Sequence, residues 1–187
     1  DGLVSTFAVI AGLTGGLVEN KTVLLAALAT LIAGAFSMGL GTYLGSKAEL
    51  DLYESERKRE LYEMKHMPDV ERQEIRDIYQ AKGFEGELLE KIVSKITGNP
   101  DLWLKTMMTE ELGFAEKPPK PGYNGIIMSM MFIVGALIPT FPYFFGSVLI
   151  TDFLKLPLVF VWSLSLSVVG LLAAGGFKTR FTKKSFI

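Results

Sequence analysis

The sequence has 187 residues, of which 49% are hydrophobic and 21% are charged, and its mean hydropathy of +0.34 is high for a soluble domain of this length. The 19 lysines and arginines nearly balance the 20 aspartates and glutamates, which argues against a nucleic-acid-binding protein that depends on net positive charge. With no cysteine and one histidine, the composition excludes disulfide bonds, thiolate metal sites, cysteine nucleophiles and multi-histidine zinc sites.

Four long uncharged segments predict four membrane-spanning helices. They are residues 2–18, 22–46, 121–151 and 156–177. A helix needs about 20 apolar residues to cross the hydrocarbon core of a bilayer, and three of the segments reach that length, whereas the first is slightly shorter. We therefore predict an all-α, polytopic membrane protein with two transmembrane helices in residues 1–46 and two more in residues 121–177.

The polar segment between the two pairs of spans, residues 47–120, predicts a helical domain. It carries 17 acidic and 13 basic side chains, and apolar residues recur along it at helical spacing, which is typical of packed helices rather than of disorder. Asn99 followed by Pro100 indicates a helix start, and Gly113 indicates a helix end. The predicted helices run from the second span to Met67 and then over 69–82, 85–97 and 100–112.

The basic residues near the ends of the spans predict the orientation. The tail, residues 178–187, carries four lysines and arginines, whereas the hairpin on the opposite side carries Lys155. Because such residues are enriched in cytoplasmic loops, we expect the insert and the tail to be cytosolic. We expect the tail to be a basic turn that leads into a further span, and the sequence to be a fragment clipped at both ends.

Acidic side chains in the insert lie on helix faces that also carry apolar residues. The residues concerned are Glu56, Glu60 and Glu63 on the first insert helix, Glu71 and Glu74 on the second, and Met107, Met108 and Glu111 on the last. Burying an unpaired carboxylate is costly or forces its protonation. Three helices that each turn acidic groups toward their apolar side therefore predict a cation-binding cluster.

The donor atoms of this cluster indicate which metal it would take. Carboxylate oxygens favour hard or borderline divalent ions, and thioethers add affinity for softer ones, so we predict Fe²⁺, with Mn²⁺, Co²⁺, Ni²⁺ or Zn²⁺ as further candidates. Other interpretations stay open: glutamates that form a solvated helix face or pair with Arg57, Arg59 or Arg72, and methionines that only fill the core. His66 is expected at the surface.

Two residues of the apolar segments are candidates for contact with an ion in the membrane. Asp1 is an ionisable group at the start of an otherwise uncharged span, where an acid is an ion ligand or a proton carrier, although it could also lie at the membrane interface. Met38 lies mid-span among small residues, which would leave its thioether accessible to an ion.

Glycines and prolines in the spans predict close helix packing and one helix break. Gly12 with Gly16, and Gly41 with Gly45, have the small-xxx-small spacing of closely packed helices. Pro139 and Pro142 are expected to break the third span near one end.

Several motifs resemble the vacuolar iron transporter family. They are Asp1-Gly2-Leu3-Val4-Ser5, Ser37-Met38-Gly39-x-Gly41, Ala48-Glu49-Leu50-Asp51, Tyr79-Gln80-Ala81-Lys82-Gly83, Met107-Met108-x-Glu110-Glu111-Leu112-Gly113 and Gly135-Ala136-Leu137-Ile138-Pro139. The resemblance covers essentially the whole chain, in the same order. It implies a five-helix membrane protomer whose fifth helix is absent here, a cytosolic three-helix metal-binding domain, and a homodimer with the ion path between protomers. We expect a prokaryotic member.

The resemblance also implies an activity and residue roles. Members exchange Fe²⁺, and often Mn²⁺ or other divalent ions, for protons. Asp1 and Met38 would line the membrane ion path. The implied metal ligands of the insert are Glu60, Glu63, Glu71, Glu74, Met107, Met108 and Glu111. In one departure, this chain has Gly41-Thr42-Tyr43 where the family commonly has Gly-Glu-Tyr, so a pore carboxylate is lost.

These observations predict a membrane transporter rather than an enzyme, namely a Fe²⁺/H⁺ antiporter that exports metal from the cytosol. It would lie in the cell membrane of a microbe or the vacuolar membrane of a eukaryote, with divalent ions, protons, the lipid bilayer and a second copy as partners and without a prosthetic group. The alternatives are a membrane-anchored metal buffer or sensor without net transport, and a structural scaffold that binds no metal. A di-iron oxidase is least favoured, because Glu63 and His66 form a single Glu-x-x-His motif.

Overall fold

The structure, a computed structural model, describes residues 1–16, 18–145, 152–153 and 156–182. In chain order its elements are α1 (Gly2–Gly15), α2 (Asn20–His66), α3 (Pro68–Ala81), α4 (Gly86–Thr97), α5 (Pro100–Thr106), a π-helical turn (Met107–Glu111), α6 (Pro121–Thr140), a 3₁₀ turn (Phe141–Phe145), β1 (Asp152–Phe153), β2 (Leu156–Pro157) and α7 (Leu158–Thr182). The predicted all-α class is confirmed. Within the described residues the exception is the two-residue antiparallel pair β1–β2, in which Asp152 lies opposite Pro157.

The described residues form two compact units. The first, called the membrane unit, contains residues 1–43 together with the chain from residue 122 onward, and the second, called the insert, contains residues 44–121. Three helical segments are long and apolar enough to cross a bilayer: α2, the segment Pro121–Phe145 and the segment Leu158–Phe177. The membrane unit is therefore built mainly from the predicted spans.

The first predicted span is shorter than expected. Its helix, α1, contains 14 residues and ends at Gly15, so at 1.5 Å per residue it is about 21 Å long, less than the roughly 30 Å of a hydrocarbon core. Two consecutive glycines at the end of the apolar run account for the early stop, because glycine has a low helix propensity. Spanning by α1 stays a prediction.

The tail was predicted to turn after residue 177, but the backbone remains helical through Thr182. No proline or glycine stands between Phe177 and Thr182 to stop the helix. Residues 183–187, which include the last two lysines of the basic segment, lie outside the described residues.

The predicted break in the third span occurs at its prolines. Pro139 lies within the last turn of α6, and Pro142 lies in the 3₁₀ turn that follows. Buried hydroxyl groups bond to carbonyl oxygens at this end: Ser163 Oγ donates to the Pro139 carbonyl at 2.7 Å, and Thr140 Oγ1 donates to the Ala136 carbonyl at 2.7 Å. These contacts add buried hydrogen bonds to backbone oxygens at the proline-containing end of the helix.

Glycines let α6 lie close to α2 and α1. A Cβ atom at Gly39 would collide with the Ser129 hydroxyl, and one at Gly125 would lie 2.8 Å from the Gly39 carbonyl oxygen. By contrast, apart from the glycine's own helix backbone and chain neighbours, no atom of the described residues lies within 4 Å of such a position at Gly12, Gly41 or Gly45. Among the described residues, other glycines therefore provide the close helix contacts, and packing through these three stays a prediction.

The insert folds around its own apolar core. Ile75 of α3, Leu89 and Val93 of α4, and Trp103 of α5 are buried together with Ile96 and Met107. The Asn99 side chain caps α5 by accepting hydrogen bonds from the Asp101 and Leu102 amides at 3.1 and 3.2 Å, as its position before Pro100 predicts. Gly113 has a φ of +70°, which suits the predicted stop. This core fixes the helix faces that carry the acidic residues.

Candidate metal centre

Three carboxylates of the insert converge. Glu60 and Glu63 lie one turn apart on α2, and Glu71 lies in the first turn of α3. One oxygen of each side chain lies within 4.8 Å of the other two. The break between His66 and Pro68 reverses the chain, so two adjacent helices supply the three groups. We call Glu60, Glu63 and Glu71 the metal centre.

Two of these carboxylates are almost completely buried. Glu60 is 1% exposed and Glu71 is 2% exposed. In the described part of the chain, Oε2 of each has no hydrogen-bond partner. A buried carboxylate oxygen without a partner is strongly unfavourable. The site therefore requires a bound proton or a bound cation to compensate for the lost hydration.

The electrostatic environment favours protonation when no metal is bound. Burial, and after it repulsion from the charges of Glu74, Glu60, Glu63 and Glu111, together raise the pKa of Glu71 from 4.5 to about 7. Burial is also the largest cause of the raised pKa values of Glu60 and Glu74. A divalent ion would reverse this preference by neutralising the repelling charges.

Glu111, at the end of the π-helical turn, belongs to the same electrostatic group. Partial burial of its carboxyl, together with repulsion from Glu60, Glu74 and Glu63, raises its pKa to about 7. The residue as a whole is nevertheless exposed, so Glu111 lies at the solvent side of the acidic group.

The two predicted methionine ligands are buried in the π-helical turn. Met107 is fully buried and packs in the apolar core of the insert, and Met108 is 2% exposed. The turn is defined by the Leu112 amide donating to the Met107 carbonyl at 3.2 Å, a geometry that is frequent at functional sites. Core packing accounts for Met107 without a ligand role, so coordination by either thioether stays a prediction.

Arg59 is the arginine that contacts the centre. Its Nη2 lies 2.9 Å from Glu56 Oε2 and 3.3 Å from Glu60 Oε1, and its Nε lies 3.6 Å from Glu63 Oε2. Arg72 instead lies 3.7 Å from Asp69 and over the ring of Trp103. On α2, Arg59 lies three residues after Glu56 and four residues before Glu63. This helical spacing is the signal in the sequence that identifies Arg59 as a partner of the glutamates.

His66 is exposed, as predicted. Its ring stacks on Tyr62 with centroids 4.0 Å apart, and its Nδ1 lies 2.8 Å from the Tyr62 carbonyl oxygen. These local contacts occupy the side chain on the outer surface of α2.

In the membrane unit, Met38 and Gly2, the residue that follows Asp1, lie next to the same part of α6. Met38 packs against a buried cluster that includes Phe132 and Ala136. Asp1 is exposed at the start of α1, and its neighbour Gly2 faces the backbone of these same two α6 residues. The roles of Asp1 and Met38 in transport stay predictions.

We expect the metal-free insert to lose stability as the pH rises. Between its ordinary pKa of 4.5 and its folded value of about 7, Glu71 binds more protons in the folded state than in the unfolded state, so the free energy of unfolding falls with rising pH and then levels off. The expected loss between about pH 5 and pH 8 is on the order of 2 kcal/mol.

Urea unfolding of the purified chain with a chelator measures this loss. Trp103 fluorescence reports on the insert when Trp162 of α7 is replaced by phenylalanine. Saturating Mn²⁺ should restore the stability at pH 8. A free energy of unfolding that stays constant or rises over this pH range would contradict the raised pKa of Glu71 in the folded, metal-free insert.

Comparison with known proteins gives a consistent result. The model of the VIT family matches residues 1–187. Vacuolar iron transporter 1 from Tulipa gesneriana is 38% identical over 183 residues, which cover 97% of this chain and 71% of the tulip protein. A vacuolar iron transporter 1 from Oryza sativa subsp. japonica is 38% identical over 97% of this chain and 70% of its own length. A vacuolar iron transporter from Plasmodium falciparum is 34% identical, covering 98% of this chain and 68% of its own length.

Proposed function

This chain belongs to the VIT family of membrane transporters, and from that premise we propose that it carries ferrous iron across the membrane in exchange for protons. The relatives are named as iron transporters, and the metal centre offers oxygen donors that suit a divalent ion. The observation that carries the proposal is the pair of buried carboxylate oxygens, on Glu60 and Glu71, that have no hydrogen-bond partner among the described residues.

The proposed ligand set extends beyond the three converging carboxylates. It adds Glu74 and Glu111, whose charges act on the centre, and the buried thioethers of Met107 and Met108. Oxygen and sulfur donors together suit Fe²⁺ and leave Mn²⁺, Co²⁺, Ni²⁺ and Zn²⁺ as further substrates. The insert then serves to collect ions from the cytosol.

Proton exchange follows from the same carboxylates in this proposal. Glu71 and Glu111 have pKa values of about 7, so near neutral pH each is partly protonated when no metal is present. Because metal binds the deprotonated form, each binding event releases protons, and metal affinity rises with pH. A group that holds either a proton or a metal ion gives antiport a physical basis.

The proposed membrane path uses Asp1 and Met38. Asp1 supplies a carboxylate that can bind either a proton or a metal ion, and Met38 supplies a thioether. The packing of Met38, and of the Gly2 that follows Asp1, against Phe132 and Ala136 of α6 supports this assignment. Thr42, on the same helix as Met38, supplies a hydroxyl where a carboxylate is common in the family, so the path of this chain carries less negative charge.

We further propose a homodimer, with the insert on the cytosolic side of an integral membrane protein. Gly12, Gly41 and Gly45 have open space beside them in the described chain, and helices that present such residues can approach a second copy closely. The basic tail supports the cytosolic placement, and the direction of transport is then out of the cytosol. The membrane would be vacuolar, as the names of the relatives suggest, or the cell membrane of a microbe.

Flux into proteoliposomes tests the function. With a pH-sensitive dye inside, we expect external Fe²⁺ to accumulate and the interior to become more alkaline as protons leave, with Mn²⁺, Co²⁺ and Zn²⁺ compared in parallel. Metal accumulation without a change in internal pH would contradict antiport. Metal binding without any accumulation would instead support a membrane-anchored buffer or sensor.

A further inference from the structure

Arg59 brings a positive charge of the protein itself into contact with the carboxylates of the metal centre. Its guanidinium lies 3.3 Å from Glu60 Oε1 and its Nε lies 3.6 Å from Glu63 Oε2. Both carboxylates also belong to the group of three whose oxygens converge within 4.8 Å. A metal ion and Arg59 therefore draw on the same two carboxylates.

A divalent ion and the guanidinium cannot both stay close to these groups at low cost. Their repulsion increases as their separation decreases, and burial of Glu60 at 1% exposure weakens screening by water. Glu60 Oε2 has no hydrogen-bond partner among the described residues, whereas Arg59 contacts Oε1. An ion that binds Oε2 first would therefore not have to break the contact of Arg59 with Oε1 in the same step.

The Arg59 side chain can move away from the metal centre when an ion binds. Its side chain is 49% exposed, and Glu56, whose Oε2 lies 2.9 Å from Nη2, is outside the three converging carboxylates. The guanidinium can withdraw toward water while it keeps the contact with Glu56. Withdrawal leaves no cavity in the apolar core, because the Arg59 head is at the surface.

We propose that Arg59 is a tethered counter-ion that competes with the transported metal for Glu60 and Glu63, and thereby keeps metal binding weak enough to be reversible. This inference rests on the proposed metal-binding function of the insert. In the metal-free state Arg59 partly balances the clustered negative charge. When an ion leaves, Arg59 returns to the vacated oxygens and opposes immediate rebinding, which suits a protein that passes its ion on.

The alternative role for Arg59 is to orient the two glutamates for metal binding, and the two roles predict opposite results. Under competition, Arg59→Gln removes the competing charge, and the affinity for Mn²⁺ rises about tenfold, since each of the three partly exposed ion pairs contributes modestly. Arg59→Lys keeps a competing positive charge and stays within about threefold of the unsubstituted chain. Arg57→Gln, an equal charge change at an exposed position two residues away, is the matched control and has little effect.

The measurement is Mn²⁺ binding to the purified full chain, followed by loss of the electron paramagnetic resonance signal of free Mn²⁺. Unfolding curves of each variant verify that the insert is folded. Tighter binding by Arg59→Gln but not by Arg57→Gln supports competition. Unchanged or weaker binding by a folded Arg59→Gln, with normal binding by the unsubstituted chain, overturns the Arg59 proposal alone. No Mn²⁺ binding by the unsubstituted chain overturns the proposed metal centre and the Arg59 proposal with it.

Discussion

Replacing Glu71 with glutamine should lower the affinity of the chain for Mn²⁺ about 100-fold, equivalent to about 2.7 kcal/mol. Glu71 is 2% exposed, and one of its oxygens has no hydrogen-bond partner in the described chain. Glutamine has nearly the same shape but lacks the negative charge, so the attraction to the ion is lost while the packing is kept. Isothermal titration of the full chain with Mn²⁺ measures the change.

The same substitution should have the opposite effect on the metal-free protein. At pH 8 the carboxylate of Glu71 is ionised although its pKa is raised to about 7 by burial and by neighbouring glutamates. Removing that charge relieves the repulsion and the desolvation, so the metal-free insert of Glu71→Gln should unfold at a higher urea concentration than the unsubstituted insert. Weaker metal binding together with higher metal-free stability is characteristic of a ligand rather than of a structural residue.

Glu87→Gln is the matched control for this experiment. The Glu87 side chain is 83% exposed and pairs with Lys91 at 2.6 Å on α4, so its substitution should change neither metal affinity nor stability by much. Equal Mn²⁺ affinity of Glu71→Gln and the unsubstituted chain would remove Glu71 from the site.

The local structure of the insert could be predicted well from the sequence. The helices predicted over 69–82, 85–97 and 100–112 match the observed ones closely: the end of α4 and the start of α5 coincide, and the other boundaries differ by one residue. These boundaries depend on short-range chemistry, such as the Asn99 cap before Pro100 and the turn at Gly113, which a sequence displays directly. Among the described residues, three of the four predicted spans coincide with helices that are long and apolar enough to cross a bilayer, because long uncharged runs are also displayed directly by a sequence.

The arrangement of the acidic residues could be predicted only in part. Helical periodicity places Glu60, Glu63 and Glu71 toward an apolar side, but it does not state that their oxygens meet, because that depends on the angle at which α3 returns onto α2. The spacing of Arg59 along α2 marks it as a partner of the glutamates on that helix, but it does not show that Arg72 pairs elsewhere. These features arise from tertiary packing, and the residue pattern along a single helix contains no information about it.

The glycine contacts were also beyond the sequence pattern. The small-xxx-small pairs are expected to pack, yet a Cβ atom at Gly41 or Gly45 would meet no other helix of the described chain within 4 Å, whereas Gly39 and Gly125 lie against each other's helices. All four lie in apolar helices, so spacing alone does not reveal which face meets another helix of the same chain. The three-dimensional structure is needed to tell which glycines contact another helix of the chain and which lie on a helix face without such a contact.

The second large effect is expected at Asp1. Replacing Asp1 with alanine should reduce Fe²⁺ flux into proteoliposomes to background, at least about 100-fold below the unsubstituted chain, because an uncompensated ion in an apolar environment loses several kcal/mol of stabilisation. Mn²⁺ binding by the metal centre should be unchanged in the same variant, since Asp1 belongs to the membrane unit and the ligands to the insert. Initial rates of uptake, with the internal pH recorded, give the result.

Two further variants make the Asp1 result specific. Glu19→Ala changes an exposed acid between α1 and α2 and should leave the flux close to that of the unsubstituted chain. Met38→Leu keeps an apolar side chain of similar size but removes the thioether, so it should slow Fe²⁺ more than Mn²⁺, since sulfur donors matter more for the softer ion. If Asp1→Ala transports Fe²⁺ at the normal rate, the carboxylate is not part of the path. If Asp1→Ala neither binds nor transports metal while Glu19→Ala behaves normally, Asp1 acts on the fold of the whole chain rather than on the ion.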